Sequence, residues 1–288
     1  MKIVHTIREL QSELLRHTSE GRTIGFVPTM GALHGGHVSL VKYSANENDV
    51  TVVSIFVNPT QFNDKDDLKK YPRTLAADCK LLEPVGVAYV FAPSVEEMYP
   101  APDARMFNYP PLDTVMEGAH RPGHFNGVCQ VVSKLFDAVK PRRAYFGEKD
   151  FQQLAIIRQM VRQLNYAIDI VGCPIVREED GLAMSSRNTR LSVAERENAL
   201  KISQTLLKSR NFAASHTTTP HQIQRCVEET MAEAPGLQLE YFAIVDGHTL
   251  QTVERWEDSD YIVGCIAAFC GDVRLIDNVA YKEVNHSK

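Results

Sequence analysis

This chain of 288 residues lacks the marks of several large protein classes. Basic residues are not in excess: 31 Lys and Arg stand against 36 Asp and Glu, a formal net charge of −5. A dedicated nucleic-acid binder would carry a basic excess or stripe to neutralise phosphates, so no nucleic-acid partner is expected. No stretch approaches the roughly 20 apolar residues of a membrane span, so no membrane role is expected either. The opening Met1-Lys2-Ile3-Val4-His5-Thr6-Ile7-Arg8-Glu9-Leu10 has no apolar core of signal-peptide length. The six cysteines, Cys79, Cys129, Cys173, Cys226, Cys265 and Cys270, are scattered without a Cys-x-x-Cys pair. Reduced thiols in a cytoplasmic chain are the simplest reading. There is no repeat and no long low-complexity segment.

What is there is ordinary for a globular protein: 44% hydrophobic and 23% charged residues. The length allows one large or two moderate domains, each able to bury a core. The first 175 or so residues alternate strand and helix. Thr23–Val27, Gly86–Ala92, Arg143–Phe146 and Ile168–Val171 read as strands, and the β-branched run Val50–Val57 reads as a strand covered on both faces. Between them, Thr74–Glu83 reads as a helix capped by Thr74 and closed by Pro84. Asn126–Val139 places Val128, Val131, Val132, Leu135, Phe136 and Val139 on one face. Asp150 opens a helix that turns Leu154, Ile157, Val161 and Leu164 inward. Such alternation predicts an α/β fold with a Rossmann-like parallel sheet over residues 1–177.

A change comes near residue 180. Val176-Arg177-Glu178-Glu179-Asp180-Gly181 reads as a polar loop and candidate hinge. Ser192-Val193-Ala194-Glu195 is a capping box opening a helix with Ala199, Ile202, Leu206 and Leu207 inward. Ala214–Pro220 reads as a polar connector, followed by a helix to about Ala232. Leu237–Val245, Tyr261–Phe269 and Val273–Asn278 read as strands. Residues 178–288 are therefore expected to form a smaller α+β domain that closes over the site.

The most informative segment is Pro28-Thr29-Met30-Gly31-Ala32-Leu33-His34-Gly35-Gly36-His37. It follows the first apolar strand and precedes Val38–Ser44, read as the start of a helix. Strand, Gly-containing turn and helix place a phosphate at a helix N-terminus. Two imidazoles bring donors to it, and the glycines let the backbone approach closely. A zinc site is the competing reading of His-x-x-His. It is disfavoured because no Cys or acidic residue lies nearby in sequence to complete three or four ligands. Two structural histidines in a turn remain an alternative on residues alone.

Other chemistry-bearing segments follow other strands. Asn58-Pro59-Thr60-Gln61-Phe62 follows the second strand, and Gly147-Glu148-Lys149-Asp150 follows the Arg143–Phe146 strand. Met184-Ser185-Ser186-Arg187-Asn188 lies at the domain junction. Ligands of open parallel sheets bind beyond the strands' carboxyl ends, so these segments are expected to converge on one rim. Each has a plainer reading alone: a local Gln61 turn, a solvated Lys149–Asp150 ion pair worth little, an ordinary polar loop at Ser185–Arg187.

His34-Gly35-Gly36-His37 resembles the His-x-Gly-His motif of the nucleotidylyltransferase superfamily. Val-Pro-Thr-Met-Gly-Ala-Leu-His-x-Gly-His more closely resembles the pantothenate synthetase family within it. Asn-Pro-x-Gln-Phe at 58–62, Arg121-Pro122-Gly123-His124-Phe125, Phe-Gly-Glu-Lys-Asp-x-Gln-Gln at 146–153, Ser-Ser-Arg-Asn at 185–188 and Tyr241–Asp246 resemble it too, in the family's order. The resemblance covers essentially the whole chain.

That resemblance implies a ligase that condenses pantoate with β-alanine, consuming ATP and releasing AMP and pyrophosphate through a pantoyl adenylate. It implies that ATP is held by Met30, Gly31, Ala32, Leu33, His34, Gly35, Gly36 and His37. Gly147, Glu148, Lys149, Asp150, Val176, Met184, Ser185, Ser186 and Arg187 complete that set. His34, His37, Lys149, Ser185, Ser186 and Arg187 are the implied catalytic donors. Gln61, Gln153 and Asn58 are the implied substrate contacts, with Met30, Phe56 and Phe62 offering apolar surface to the gem-dimethyl group. Mg2+ is expected on the triphosphate with mostly water and phosphate ligands, Asp78 being a candidate for an additional contact. No dedicated protein metal site is expected. Asp64–Tyr71 reads as a flap shielding the adenylate. A homodimer is implied. A different adenylyltransferase of the same fold, a class I aminoacyl-tRNA synthetase fragment and a non-catalytic nucleotide-binding protein are the competing readings.

Overall fold

The computed structural model describes residues 1–63, 65–214 and 218–283. The chain divides into two units. One comprises Met1–Asp113, Glu117–Glu148 and Gln153–Pro174; the other comprises Thr114–Met116, Lys149–Gln152 and Ile175–Lys288.

Along the chain run β1 (Lys2–Val4), α1 (Ile7–Ser19), β2 (Ile24–Thr29), α2 (Gly35–Glu47), β3 (Val50–Ile55), α3 (Lys65–Lys70) and α4 (Leu75–Leu82). Then come β4 (Val87–Phe91), α5 (Val95–Met98), α6 (Glu117–His120), α7 (His124–Val139), β5 (Arg143–Gly147), α8 (Phe151–Gln163) and β6 (Asp169–Cys173). The six strands pair in parallel in the order β1-β4-β3-β2-β5-β6. This is the expected Rossmann-like sheet. Helices cover both faces, so Phe26, Val27, Val52 and Val53 are all buried although neighbours point to opposite faces. Strand order reverses between β2 and β5, the switch point beyond whose carboxyl ends open α/β sheets bind ligands.

α2 carries little amphipathic contrast and is seated instead by polar ties. Ser44 Oγ and Thr51 Oγ1 lie 2.9 Å apart, both buried. Asn48 Nδ2 donates to the Tyr145 hydroxyl at 2.7 Å, and that hydroxyl donates to Glu47 Oε2 at 2.9 Å. The C-terminal end of α2 is thus tied to β3 and β5, which fixes the line along which its N-terminus points.

The second unit carries α9 (Val193–Ala213), α10 (Pro220–Ala232), β7 (Leu237–Asp246), β8 (Ile262–Cys270) and β9 (Val273–Lys282). The strands form an antiparallel sheet, β7-β8-β9. Ile202, Leu206, Ile223, Val227, Met231, Phe242 and Ile266 form its core. Both helices open with capping boxes, Ser192 with Glu195 and Thr219 with Gln222, the latter followed by Pro220.

Several expectations need correction. α2 begins at Gly35, three residues before Val38, because His34 supplies a cap. Thr74 does not cap α4; its hydroxyl donates to Asp78 instead. Leu164 lies beyond α8 and is exposed, while Ile156 and Met160 are fully buried in its place. Leu207 is only half-buried. The polar loop at 176–181 is half of a short antiparallel ladder. Met184 N–H donates to Val176 O at 3.0 Å, Glu178 N–H donates to Leu182 O at 2.8 Å, and Arg177 bridges Ala183. Of the candidate flap, Asp64 lies outside the described residues. The remainder is α3, Lys65–Lys70, followed by Tyr71, whose buried ring meets Phe62 at 5.8 Å. Residues 215–217 of the connector also lie outside the described residues. Among the described residues no helix is long and apolar enough to cross a membrane.

Candidate active site

The turn after β2 is built around one carboxylate. Gly31 has φ +83, and a Cβ there would come within 3.0 Å of Ile55 Cγ2. Ala32 follows with φ +50. Two successive left-handed residues turn the N–H groups of Ala32 and Leu33 toward Asp78, at 3.1 and 2.8 Å. A left-handed Ala costs roughly 1–2 kcal/mol. Hydrogen bonds to a charged group contribute about 1.5–3 kcal/mol each, so the carboxylate outweighs the strain. Asp78 is 3% exposed and spends its oxygens on these N–H groups and the Thr74 hydroxyl. It therefore holds the turn.

The helix that follows is capped by imidazoles. His34 Nδ1 accepts the Gly36 N–H at 3.1 Å, and the His34 N–H donates to His37 Nδ1 at 3.3 Å. This is a capping box in which histidines replace the usual hydroxyl and carboxylate. The ring centroids are 4.1 Å apart. A ring nitrogen that accepts a hydrogen bond carries no proton, so each neutral ring holds its proton on Nε2. Both side chains therefore offer Nε2–H donors at the positive end of α2, beside the backbone of Gly35 and Gly36.

Beyond β3, the 3₁₀ turn Pro59–Gln61 is organised by Asn58. Asn58, expected to touch substrate, is 1% exposed. Its Oδ1 accepts from the Thr60 hydroxyl at 3.1 Å and from Tyr99 OH at 2.8 Å. Burial raises the Tyr99 pKa and keeps that phenol a donor. Asn58 Nδ2 donates to Gly127 O at 3.2 Å and to Gln61 Oε1 at 3.0 Å. Asn58 is thus engaged on all sides as a support of this turn. With its Oε1 engaged, Gln61 directs its NH2 toward Met30, donating to Sδ at 3.3 Å. Phe56 is buried and Phe62 half-buried on either side of this turn.

β5 ends at Gly147, and Glu148–Asp150 form a 3₁₀ turn leading into α8. Gln153, on the first turn of α8, is half-buried, and its side chain makes no hydrogen bond to another described residue. Gln152 is instead buried and donates to Val115 O at 2.8 Å.

In the second unit, Lys149 is half-buried, and its carbonyl accepts from Asn278 Nδ2 at 3.1 Å. Its amine makes no ion pair among the described residues, so the Lys149–Asp150 pair of the plainer reading does not form. Ser185 caps a 3₁₀ turn over Ser186–Arg190, its hydroxyl accepting the Arg187 N–H at 3.3 Å. Asn188 ties this turn to the ladder through Glu178 Oε1 at 2.7 Å and Ala183 O at 3.0 Å. Arg196 clamps Glu178 and Asp180 at 2.7 and 2.5 Å. Burial alone would push Asp180 up, but the Leu182 N–H and Arg196 hold it below the usual carboxylate range. Arg177 makes a two-pronged pair with Asp277, at 2.7 and 3.0 Å. Val176 and Met184 sit opposite each other at the open end of this ladder.

A family model described as pantoate-beta-alanine ligase matches residues 2–280. The chain belongs to the pantoate–β-alanine ligase family. It is 72% identical over 284 residues to the pantothenate synthetase of Bacteroides thetaiotaomicron, covering 99% of this chain and all of that one. It is 54% identical to the pantothenate synthetase of Porphyromonas gingivalis, over 98% of this chain and all of that one. The pantothenate synthetase structure from Thermus thermophilus superposes with a TM-score of 0.92 at 44% identity, covering 98% and 100% of the two chains. A Francisella tularensis pantoate-beta-alanine ligase, solved with beta-gamma ATP and beta-alanine, superposes with a TM-score of 0.80 at 37% identity and 98% coverage of each. Full-length membership sets aside the other adenylyltransferases, the synthetase fragment and the non-catalytic protein.

Sequence reading missed the supports. Asn58, Tyr99 and Asp78 hold the site's backbone, and Arg177, Asp277 and Arg196 brace the Ser185–Arg187 turn. The only local signal for any of them is a polar residue at a position that the surrounding pattern buries.

Proposed function

We propose that this ligase of pantoate and β-alanine works by adenylation. A carboxylate resists amide formation because its leaving group would be oxide. Pantoate's carboxylate oxygen attacks the α-phosphorus of ATP and expels pyrophosphate. The amine of β-alanine then attacks the acyl carbon, AMP leaves, and the amide of pantothenate remains. No nucleophilic side chain is needed. Catalysis rests on aligning two anions and stabilising charge that builds on phosphate.

The observation that carries this reading is the imidazole capping box at the carboxyl end of β2. It presents two Nε2–H donors at a helix N-terminus, a site made for phosphate. In this reading His34 and His37 donate to the ATP phosphates, His37 nearest the α-phosphate, and Met30–Gly36 line them. Lys149, Ser185, Ser186 and Arg187 supply the other donors. Gly147–Asp150 hold the nucleoside, and Val176 and Met184 lie by the adenine. Gln61 and Gln153 bind pantoate through amide hydrogen bonds, with Met30, Phe56 and Phe62 against its methyl groups. An amide holds a carboxylate without the salt bridge that would dull its attack.

Magnesium suits this site as a counter-ion of the triphosphate. Asp78 is engaged by N–H and O–H donors, so phosphate and water oxygens are its natural ligands. The reading includes a cytoplasmic location, consistent with six free cysteines. It also includes a homodimer, to be checked by light scattering against twice the chain mass of 32.3 kDa.

Isotope exchange tests the route. Pantoate alone should support exchange of labelled pyrophosphate into ATP, with β-alanine absent. Full turnover without any such exchange would overturn a freely reversible adenylate step.

A further inference from the structure

The segment Arg121–Phe125 matches the family in sequence, yet the proposed chemistry gives it no task. It opens α7, and the opening turn of α7 is tied repeatedly to the Asn58–Asn63 segment. His124 is 7% exposed, and its Nδ1 lies 2.8 Å from the carbonyl oxygen of Gln61. A carbonyl only accepts, so His124 Nδ1 carries the proton and donates. Three residues on, Gly127 lies where a Cβ would come within 2.8 Å of Gln61 Cα and overlap the Thr60 carbonyl. Glycine is a poor interior residue for a helix, and close approach of another backbone accounts for it here. The Gly127 carbonyl accepts from Asn58, and Asn63 Nδ2 donates to Pro122 O at 2.6 Å.

Gln61 is therefore gripped at both ends. Asn58 holds its Oε1, while His124 and Gly127 hold its carbonyl and Cα. We infer that His124 and Gly127 are positioning residues for pantoate, acting through Gln61 by fixing where its NH2 stands. The inference rests on the reading that Gln61 binds pantoate. It assigns the first turn of α7 to substrate specificity, with no contact to substrate or to ATP.

The test uses the full chain, with pantoate KM measured at saturating ATP and β-alanine, and ATP affinity measured by calorimetry. His124→Ala should raise the pantoate KM about tenfold or more, the scale of one buried hydrogen bond. Gly127→Ala should do the same. The ATP dissociation constant should stay within about twofold in both. His124→Asn places an amide NH2 near Nδ1 and should restore the KM to within about threefold, whereas His124→Gln should not. Adding His124→Ala to Gln61→Ala should raise KM no further than about twofold, since a residue acting through Gln61 has nothing left to act on.

If Gln61→Ala leaves the pantoate KM unchanged, the reading of Gln61 fails and this inference with it. If Gln61→Ala raises KM but His124→Ala and Gly127→Ala do not, the inference alone is overturned. Full additivity in the double variant, or an equal loss of ATP affinity, also overturns it. Should His124→Ala fail to fold, the contrast between His124→Asn and His124→Gln decides by itself: equal effects overturn it.

Discussion

Asp78 Oδ1 accepts the backbone N–H of Leu33 at 2.8 Å, and Oδ2 of the same carboxylate accepts that of Ala32 at 3.1 Å. One buried charge therefore dictates the path of the chain just before His34. Asp78→Asn keeps an acceptor for one N–H but turns an NH2 toward the other. That mismatch should cost about 1–3 kcal/mol. Pyrophosphate exchange should fall about tenfold while the sheet stays folded, since β2 and β3 do not depend on the turn. Exchange at the unaltered rate, with a lowered melting temperature, would leave Asp78 a stabilising residue only.

A second expectation separates the substrates. Gln153→Ala should weaken pantoate use strongly, by about 1–3 kcal/mol of binding or transition-state energy, and leave ATP affinity nearly intact. Lys149→Ala should instead slow adenylate formation at saturating pantoate. Steady-state kinetics with each substrate varied, beside calorimetric ATP titration, reads both. An ATP dissociation constant that rises as much as the pantoate KM in Gln153→Ala would contradict the division.

A third concerns acid. Asp103 is held at about 2 by the Arg105 side chain, which reaches it through Nε at 2.9 Å and Nη2 at 2.6 Å, with Lys134 at 3.6 Å. Gln130, on α7, binds the carbonyls of both Asp103 and Arg105, so the cluster pins their loop to the helix. A folded pKa below the usual 3.8 gives stability that is fully present above that value and lost as pH falls toward 2. The urea midpoint of Asp103→Asn should lie below that of the unaltered chain at about pH 7, and the gap should close between about pH 4 and 2. A gap of constant size across that range would mean that the ion pair is not its source.

Much of the fold was legible because parallel strands buried on both faces announce themselves as β-branched runs, as at Val50–Ile55. The capping box at Ser192 and the helix face from Val128 to Val139 were equally plain, whereas the box of Thr219 with Gln222 emerged only in the structure. β1 and α1 carried weaker signals: three residues of strand, and a helix with only Leu10 and Leu14 buried. The ladder at 176–184 pairs locally, but the Arg177–Asp277 pair that anchors it joins positions 100 apart, which no local pattern announces. The same limit explains Asn58. The supporting role of a polar residue in a turn shows only when its four partners, contributed by β3's exit, Tyr99 and α7, are seen together. The histidine motif was legible as chemistry, but not the way its two rings cap each other.

The strand order has a consequence for how the chain is assembled. Among the described residues β1 pairs only with β4, Lys2 against Tyr89 and Val4 against Phe91. During synthesis, residues 2–4 emerge long before their partner exists, while β2 and β3, adjacent in sequence and in the sheet, can join as soon as Val50–Ile55 are made. The edge strand is therefore a late addition to a sheet nucleated at its centre, and its closure is the slow, non-local step that parallel topologies impose. The centre that forms first is also the one that carries the two histidines.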